Sequence, residues 1–302
     1  MILLTGATGT VGSALLPRLL AAGTPVRCLV RDPRRLGELR VRVQIALGDL
    51  ADPASFRNAL RGVDTVVHLG ASIRDEPRAS IEELNAMATF GLVRAAEGAG
   101  VRRFVFFSAL GARRYSRTRF FRAKALAEEA VRDSELESVV FSPSIVYAPG
   151  DPWLRLLERL SLLPLMPISG SGRARFQPIW AEDVANCVMA VLERDRDRPA
   201  FELAGPEVLS YDEFVVTVLR SVRRRRRLVH VPLPVVRASL RALERVLGPA
   251  TFVTWEEAEL MEEPMVTERG TADAEALGAT PLAMREVLES RGPGCAGPSA
   301  SN

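Results

Sequence analysis

The first chemical signal lies in Gly6-Ala7-Thr8-Gly9-Thr10-Val11-Gly12. Glycines at 6, 9 and 12 allow a tight turn, a close approach of backbone to a diphosphate, and close packing of a helix on a strand. A helix starting there aims free N–H groups and its positive dipole end at the anion. Arg31 stands 19 positions past Gly12. In such turns a ribose-binding acid is expected after about 20 residues. A guanidinium there pairs with a 2′-phosphate, which a carboxylate would repel. Arg34 and Arg35 follow, and Asp32 is left for a ribose hydroxyl. The spacing predicts a nicotinamide dinucleotide, NADP(H) in preference to NAD(H). His68 is expected as a buried strand residue. Cys28, Cys187 and Cys295 lie far apart, show no metal spacing, and point to a reducing compartment.

These residues need a scaffold, and the chain supplies alternating apolar runs and helical stretches. Strands are expected at 1–5, 26–30, 43–47, 63–69, 103–107 and from 139. Helices are expected at 13–22, from Asp52-Pro53 to about 61, at 81–97 and at 119–133. That alternation argues for a parallel sheet covered on both faces, with ligands beyond the carboxyl ends of the strands. Gly6–Gly12, Arg31, Asp49, Gly70, Ser108 and Ser144 all fall at such ends. The expected fold is α/β, a doubly wound parallel Rossmann sheet with a smaller C-terminal α+β substrate domain. Residues 1–142 plus about 176–204 form the first unit. About 143–175 plus 205–290 form the second, and 291–302 a disordered tail.

In the second half, 153–162 reads as an amphipathic helix, 164–172 as a Pro/Gly-rich loop and 175–180 as a strand. A helix opens at Ala181, with Asp183 at its start. Arg223–Arg227 is five consecutive arginines, ahead of a helix at 235–247 with Val236, Leu240, Leu243 and Leu247 on one stripe and Arg237, Arg241 and Arg245 on another. Two readings stand open: a solvated connection with a helix capping the substrate domain, or contact with a protein partner or an anionic membrane surface.

The 302 residues are 47% hydrophobic and 25% charged, with 40 basic against 37 acidic side chains. A net charge of +3 is too small an excess to make nucleic acid the partner. No apolar run reaches the roughly 18 residues of a membrane-spanning helix. The chain opens on a strand, not a charged leader. The expected location is cytoplasmic, with a peripheral place on the inner face of the membrane as the extension of the arginine reading.

Thr5-Gly-Ala-Thr-Gly-Thr-Val-Gly12, Gly48-Asp49-Leu50, His68-Leu-Gly-Ala71 and Pro143-Ser-Ile-Val-Tyr147 resemble the extended and atypical short-chain dehydrogenase/reductase superfamily. Phe107-Ser-Ala-Leu-Gly111, Gly150-Asp-Pro-Trp153 and Ala204-Gly-Pro-Glu207 resemble a subgroup within it. That subgroup comprises the NmrA-like proteins, the nucleotide-binding accessory subunit of respiratory complex I and its bacterial relatives. The resemblance covers roughly residues 1–290. It implies that Gly6, Gly9 and Gly12 form the diphosphate turn, with Thr8, Thr10 and Val11 completing it. Asp49 and Leu50 would bracket the adenine. Gly70 and Ala71 would lie beside the nicotinamide ribose, and Ser144 and Ile145 would pass the nicotinamide.

The family's enzymes carry Tyr, three residues, then Lys on one helical face, so that the ammonium lowers the phenol's pKa and holds the ribose. Here the segment is Phe120-Phe-Arg-Ala-Lys124. The lysine is present, and Phe120 replaces the tyrosine. Losing a positioned acid/base costs about 10²–10⁴ in rate. Ser108 matches the serine that bonds a substrate oxygen. Tyr115 could substitute for the phenol only if its loop folds back. Three functions follow in order. The first is a dinucleotide-loaded subunit or sensor with weak or no turnover. The second is an active NADPH-dependent reductase or isomerase of a small molecule of unknown identity. The third is a nucleotide-sugar epimerase or dehydratase. No metal site is expected.

Overall fold

In the computed structural model, residues 1–77, 79–193, 199–247 and 254–290 are described. The tail at 291–302, Cys295 and the side chain of Leu247 lie outside them. Six strands arise in chain order: β1 (Ile2–Thr5), β2 (Val26–Val30), β3 (Gln44–Leu47), β4 (Thr65–His68), β5 (Arg103–Phe107) and β6 (Glu137–Pro143). A seventh, Ala200–Leu203, joins the free edge of β6. The order runs Ala200–Leu203, β6, β5, β4, β1, β2, β3, and every neighbouring pair is parallel. The chain therefore reverses its direction of travel between β1 and β4. At that switch point two crossovers leave in opposite directions and a crevice opens above the strand ends.

Helices cover both faces, as the continuous apolar strands require. On one side α1 (Thr10–Ala21) and the helix Ala181–Glu193 pack with Leu4, Cys28, Val67 and Val105. On the other, α2 (Pro53–Phe56) brings Phe56 and α3 (Ala88–Gly98) brings Leu92, Val93 and Ala96. There α4 (Arg119–Arg132) adds Ala127 and Val131 over Leu3, Val66 and Phe104. Asp52 caps α2 by accepting from the Ala54 N–H at 3.0 Å, as Asp-Pro at a helix start predicts. A separate core gathers Tyr147, Leu154, Met166, Phe176, Tyr211 and Phe214.

Two expectations change. The stretch 164–172, read as a loop, contains the strand Leu165–Ser169, parallel to Arg227–Val231. Its partner lies 62 positions away, and Pro167 disguises it, a residue tolerated in a strand with one neighbour. The single strand expected over 175–180 is two: Arg175–Phe176 pairs with Leu209–Ser210, and Ile179–Trp180 with Val146–Tyr147. Gln177-Pro178 interrupts them, and the missing N–H of proline ends the ladder.

The arginine run alternates. Arg224 donates to the Glu158 carbonyl at 3.0 Å and to Ser161 Oγ at 2.7 Å. Arg226 donates to the carbonyls of Ser161 and Leu163 at 2.9 and 2.8 Å. These two close the end of the helix Pro152–Leu160, where carbonyls have no helical partner. Arg223, Arg225 and Arg227 face outward. No helix of the described residues is long and apolar enough to cross a membrane.

Candidate functional site

The three glycines do three different jobs. Gly6 has φ +70°, and a Cβ there would stand 2.7 Å from Gly70 N. Only glycine tolerates that conformation cheaply. At Gly12 a Cβ would fall 2.2 Å from the Gly6 carbonyl oxygen and 2.7 Å from Ala7 Cα, so its absence lets α1 close on the turn. Gly9 has an ordinary φ of −84° and is exposed, with only the Gly6 oxygen near its missing side chain. It leaves the backbone approachable from outside. Gly9 is also the N-cap of α1, so no side chain satisfies the first N–H groups, and the first turn holds no acid. Thr10 and Val11 begin the helix there. An anion is the complement of such an end.

A cavity of about 500 Å³ opens over this turn. Eight of the expected cofactor residues line it: Gly6, Thr8, Gly9, Arg31, Asp49, Leu50, Gly70 and Ala71. They arrive from the ends of β1, β2, β3 and β4, on both sides of the switch point. Arg35, Ser72, Glu76 and Leu84 are among the other residues of the wall. Arg31 is ion-paired with Glu76 across it, which raises the guanidinium's pKa. Asp32 also lines the cavity, and its Oδ1 accepts from the Arg34 N–H at 2.9 Å. The combination of open turn, uncapped helix and cavity fits a dinucleotide.

Beneath the turn runs a buried hydrogen-bond chain. The Gly70 N–H donates to Thr5 Oγ1 at 3.1 Å, and Thr5 Oγ1–H donates to His68 Nδ1 at 2.7 Å. Thr89 spends its hydroxyl proton on the Asn85 carbonyl at 2.5 Å. His68 must then carry its proton on Nε2, 3.0 Å from Thr89 Oγ1. Asn85 sits in a π-helical turn, Glu83–Met87, a distortion common at functional sites. Its amide donates to the Ser72 carbonyl at 2.7 Å and its Oδ1 accepts from the Ser72 N–H at 3.3 Å. Gly70 and Ser72, both on the cavity wall, are thereby fixed from behind.

Burial, with the Lys124 charge second, pushes the His68 pKa from 6.5 down to about 3. The ring stays neutral in the folded protein while the unfolded chain takes up a proton. The contribution of His68 to stability is therefore complete above pH 6.5 and declines as pH falls toward 3. We expect an extra loss of up to about 1.4 kcal/mol per pH unit in that window. Urea denaturation of wild type and His68→Gln across pH 5–7 checks it, the variant having the shallower slope.

The other expected residues lie off the cavity. Lys124, on α4, is 3% exposed. Its Nζ donates to the Phe107 carbonyl at 2.6 Å and stands 4.9 Å from the Phe106 ring and 5.9 Å from the Phe120 ring. Burial pushes its pKa from 10.5 down to about 7, Glu128 opposing weakly. Ser108 follows on the same strand end, with Oγ buried and without a partner. Ser144 is committed elsewhere: its Oγ donates to the Met265 carbonyl at 2.7 Å and accepts from the Gln177 N–H at 3.0 Å. The Ile145 carbonyl holds the Ile179 N–H at 2.9 Å. Tyr115 is 92% exposed, so its loop does not return it to Lys124. Asp183 serves the chain, accepting from the Leu282 N–H at 3.1 Å.

Glu76 and Asn85 escaped the sequence reading. An acid ahead of a proline and a polar residue inside a helix are faint signals, and neither reveals its partner.

A family profile described as NAD(P)H-binding matches residues 6–195. The chain is 30% identical over 247 residues to NADH dehydrogenase (ubiquinone) 1 alpha subcomplex subunit 9, mitochondrial, of Arabidopsis thaliana, covering 77% of this chain and 60% of that protein's length. It is 29% identical over 235 residues to the NAD(P)H azoreductase of Xenophilus azovorans, covering 77% and 78%. Among solved structures, the NADPH-dependent quinone oxidoreductase QOR2 of Escherichia coli, complexed with NADPH, superposes with a TM-score of 0.72. Identity there is 17% over 96% of this chain and 99% of that one, a likeness of fold.

Proposed function

Because this chain belongs to the NAD(P)H-binding family, within the atypical short-chain dehydrogenase/reductase superfamily, we propose that it is a dinucleotide-loaded subunit or sensor. It holds NADPH in preference to NADH and has little or none of the superfamily's Tyr–Lys chemistry. One observation carries this reading: Phe120 stands where the acid/base would be, beside a Lys124 sealed against the Phe107 carbonyl. A phenyl ring gives and takes no proton.

Gly6, Thr8, Gly9, Gly12 and the opening of α1 at Thr10 and Val11 hold the diphosphate. Asp49 and Leu50 border the adenine, and Arg31 with Arg35 faces the 2′-phosphate. Gly70 and Ala71 flank the nicotinamide ribose; Lys124, the ribose-binding lysine of the resemblance, would reach it only by releasing the Phe107 carbonyl. Ser144 and Ile145, their polar groups engaged within the chain, hold the segment that follows β6 and passes the nicotinamide. The bound nicotinamide would supply hydride chemistry. The chain's own part is to orient the cofactor and keep water from its reactive end.

We assign residues 1–142 with about 176–204 to the cofactor unit and about 143–175 with 205–290 to a smaller substrate-binding unit. Outward Arg223, Arg225 and Arg227 beside exposed Leu162, Leu163 and Leu165 support contact of that unit with an acidic partner or a membrane surface, which favours a peripheral location.

An active reductase is the second reading, favoured by the free Ser108 Oγ, a donor suited to a substrate oxygen. An epimerase or dehydratase would lean further on the absent phenol. Fluorescence titration with NADPH and NADH, followed by NADPH oxidation against a carbonyl panel, tests the proposal. Wild type is expected to bind and not turn over, and Phe120→Tyr to raise oxidation at least tenfold, toward the scale of a positioned acid/base. Rapid turnover by wild type would overturn it.

A further inference from the structure

We infer that Glu76 sets the selectivity between NADPH and NADH, by competing with the 2′-phosphate for Arg31. This rests on the reading that the cavity takes a nicotinamide dinucleotide. Arg31 directly follows β2, and Glu76 lies on the segment after β4, 45 positions on. Both line the cavity, and their ion pair bridges it.

The acid is held in place. The Glu76 N–H donates to the Ala79 carbonyl at 2.8 Å, and the Glu76 carbonyl accepts from Ala79 at 3.2 Å. Beside it, Asp75 accepts from the Ile81 N–H at 2.8 Å and from Arg119 at 2.8 and 3.1 Å. Arg119 also grips Glu82, at 2.6 and 2.9 Å. Glu76 is thus presented on a turn whose backbone is tied, through Asp75 and Arg119, to the start of α4.

A 2′-phosphate carries close to two negative charges. Brought to the Arg31 guanidinium, it meets a carboxylate already bound there. Arg31 has further N–H donors to offer, but the two anions would share one cation at short range in a partly screened site. A 2′-hydroxyl meets no such repulsion. Arg31 and Arg35 therefore pull selectivity toward NADPH, while Glu76 pulls it back. Position 31 carries no acid and Asp32 beside it is turned onto the Arg34 N–H, so the carboxylate that meets Arg31 comes from the far wall.

Glu76→Gln keeps the shape and the hydrogen bond to Arg31 and removes the charge. In fluorescence titrations of the full chain, its Kd for NADPH is expected to fall about tenfold, with the Kd for NADH held within about twofold. Glu76→Ala serves as a second variant with the same expected direction. Equal changes for both cofactors, no change for either, or a loss of NADH affinity larger than the NADPH gain would overturn the role of Glu76. Failure of wild type to bind either dinucleotide would instead remove the reading beneath it.

Discussion

Gly12→Ala is expected to destabilise the protein by about 3 kcal/mol and to weaken dinucleotide binding more than a hundredfold. The added methyl would lie 2.2 Å from the Gly6 oxygen, 2.7 Å from Ala7 Cα and 2.8 Å from the Ala7 carbonyl carbon. All three are backbone atoms of the turn itself, so no rotamer change relieves the clash. Either α1 lifts from β1, losing packing around Leu15, Leu16 and Leu19, or the turn is pushed out of its anion-binding shape. Overpacking of this kind reaches the upper end of the usual range of about 1–3 kcal/mol. Gly9→Ala separates the two effects. Gly9 has an accessible φ and only one neighbour, at 3.3 Å, so the variant should melt within a few degrees of wild type while the methyl obstructs the diphosphate. Thermal denaturation and NADPH titration of both variants check this. A Gly12→Ala protein that binds like wild type would refute the assignment of the turn.

Lys124→Met is expected to move stability and binding in opposite directions. The ammonium has a backbone carbonyl and two aromatic faces as neighbours, and burial brings its pKa to about 7. With the folded pKa depressed, stability is complete above 10.5 and falls as pH drops toward 7. At about 1.4 kcal/mol per pH unit, that costs up to about 4 kcal/mol at neutrality. Methionine fills the same volume without a charge, though it leaves the Phe107 oxygen without its donor. A net gain of about 2 kcal/mol at pH 7, several degrees in Tm, is the expected balance. Wild type should also gain stability between pH 7 and 9, where the variant stays flat. NADPH affinity should fall at least tenfold if Lys124 serves the ribose. A binding site that is destabilised in the empty protein is a familiar exchange of stability for function. Unchanged binding would reduce Lys124 to a relic of the lost tyrosine partner.

Most of the scaffold was legible in advance because it is written locally. β2 and β5 have the bounds that their apolar runs suggested, and α4 ends one residue short of expectation. Asp52 declares a helix start through its own side chain. The strand at 165–169 was illegible for the complementary reason, since its ladder partner lies far along the chain.

By itself, the sequence determined the turn Gly6–Gly12 and the parallel α/β alternation, because each is set by residue type and short spacing; Phe120 in the place of a tyrosine is what the family resemblance implies. Only the tertiary structure decided that Arg31 meets Glu76, that Lys124 turns to the Phe107 carbonyl, and that Ser144 bonds Met265. Those pairs are 45, 17 and 121 positions apart. Their meeting depends on strand order and register, which no local periodicity encodes. The first of them also decides where charge rests in the cavity.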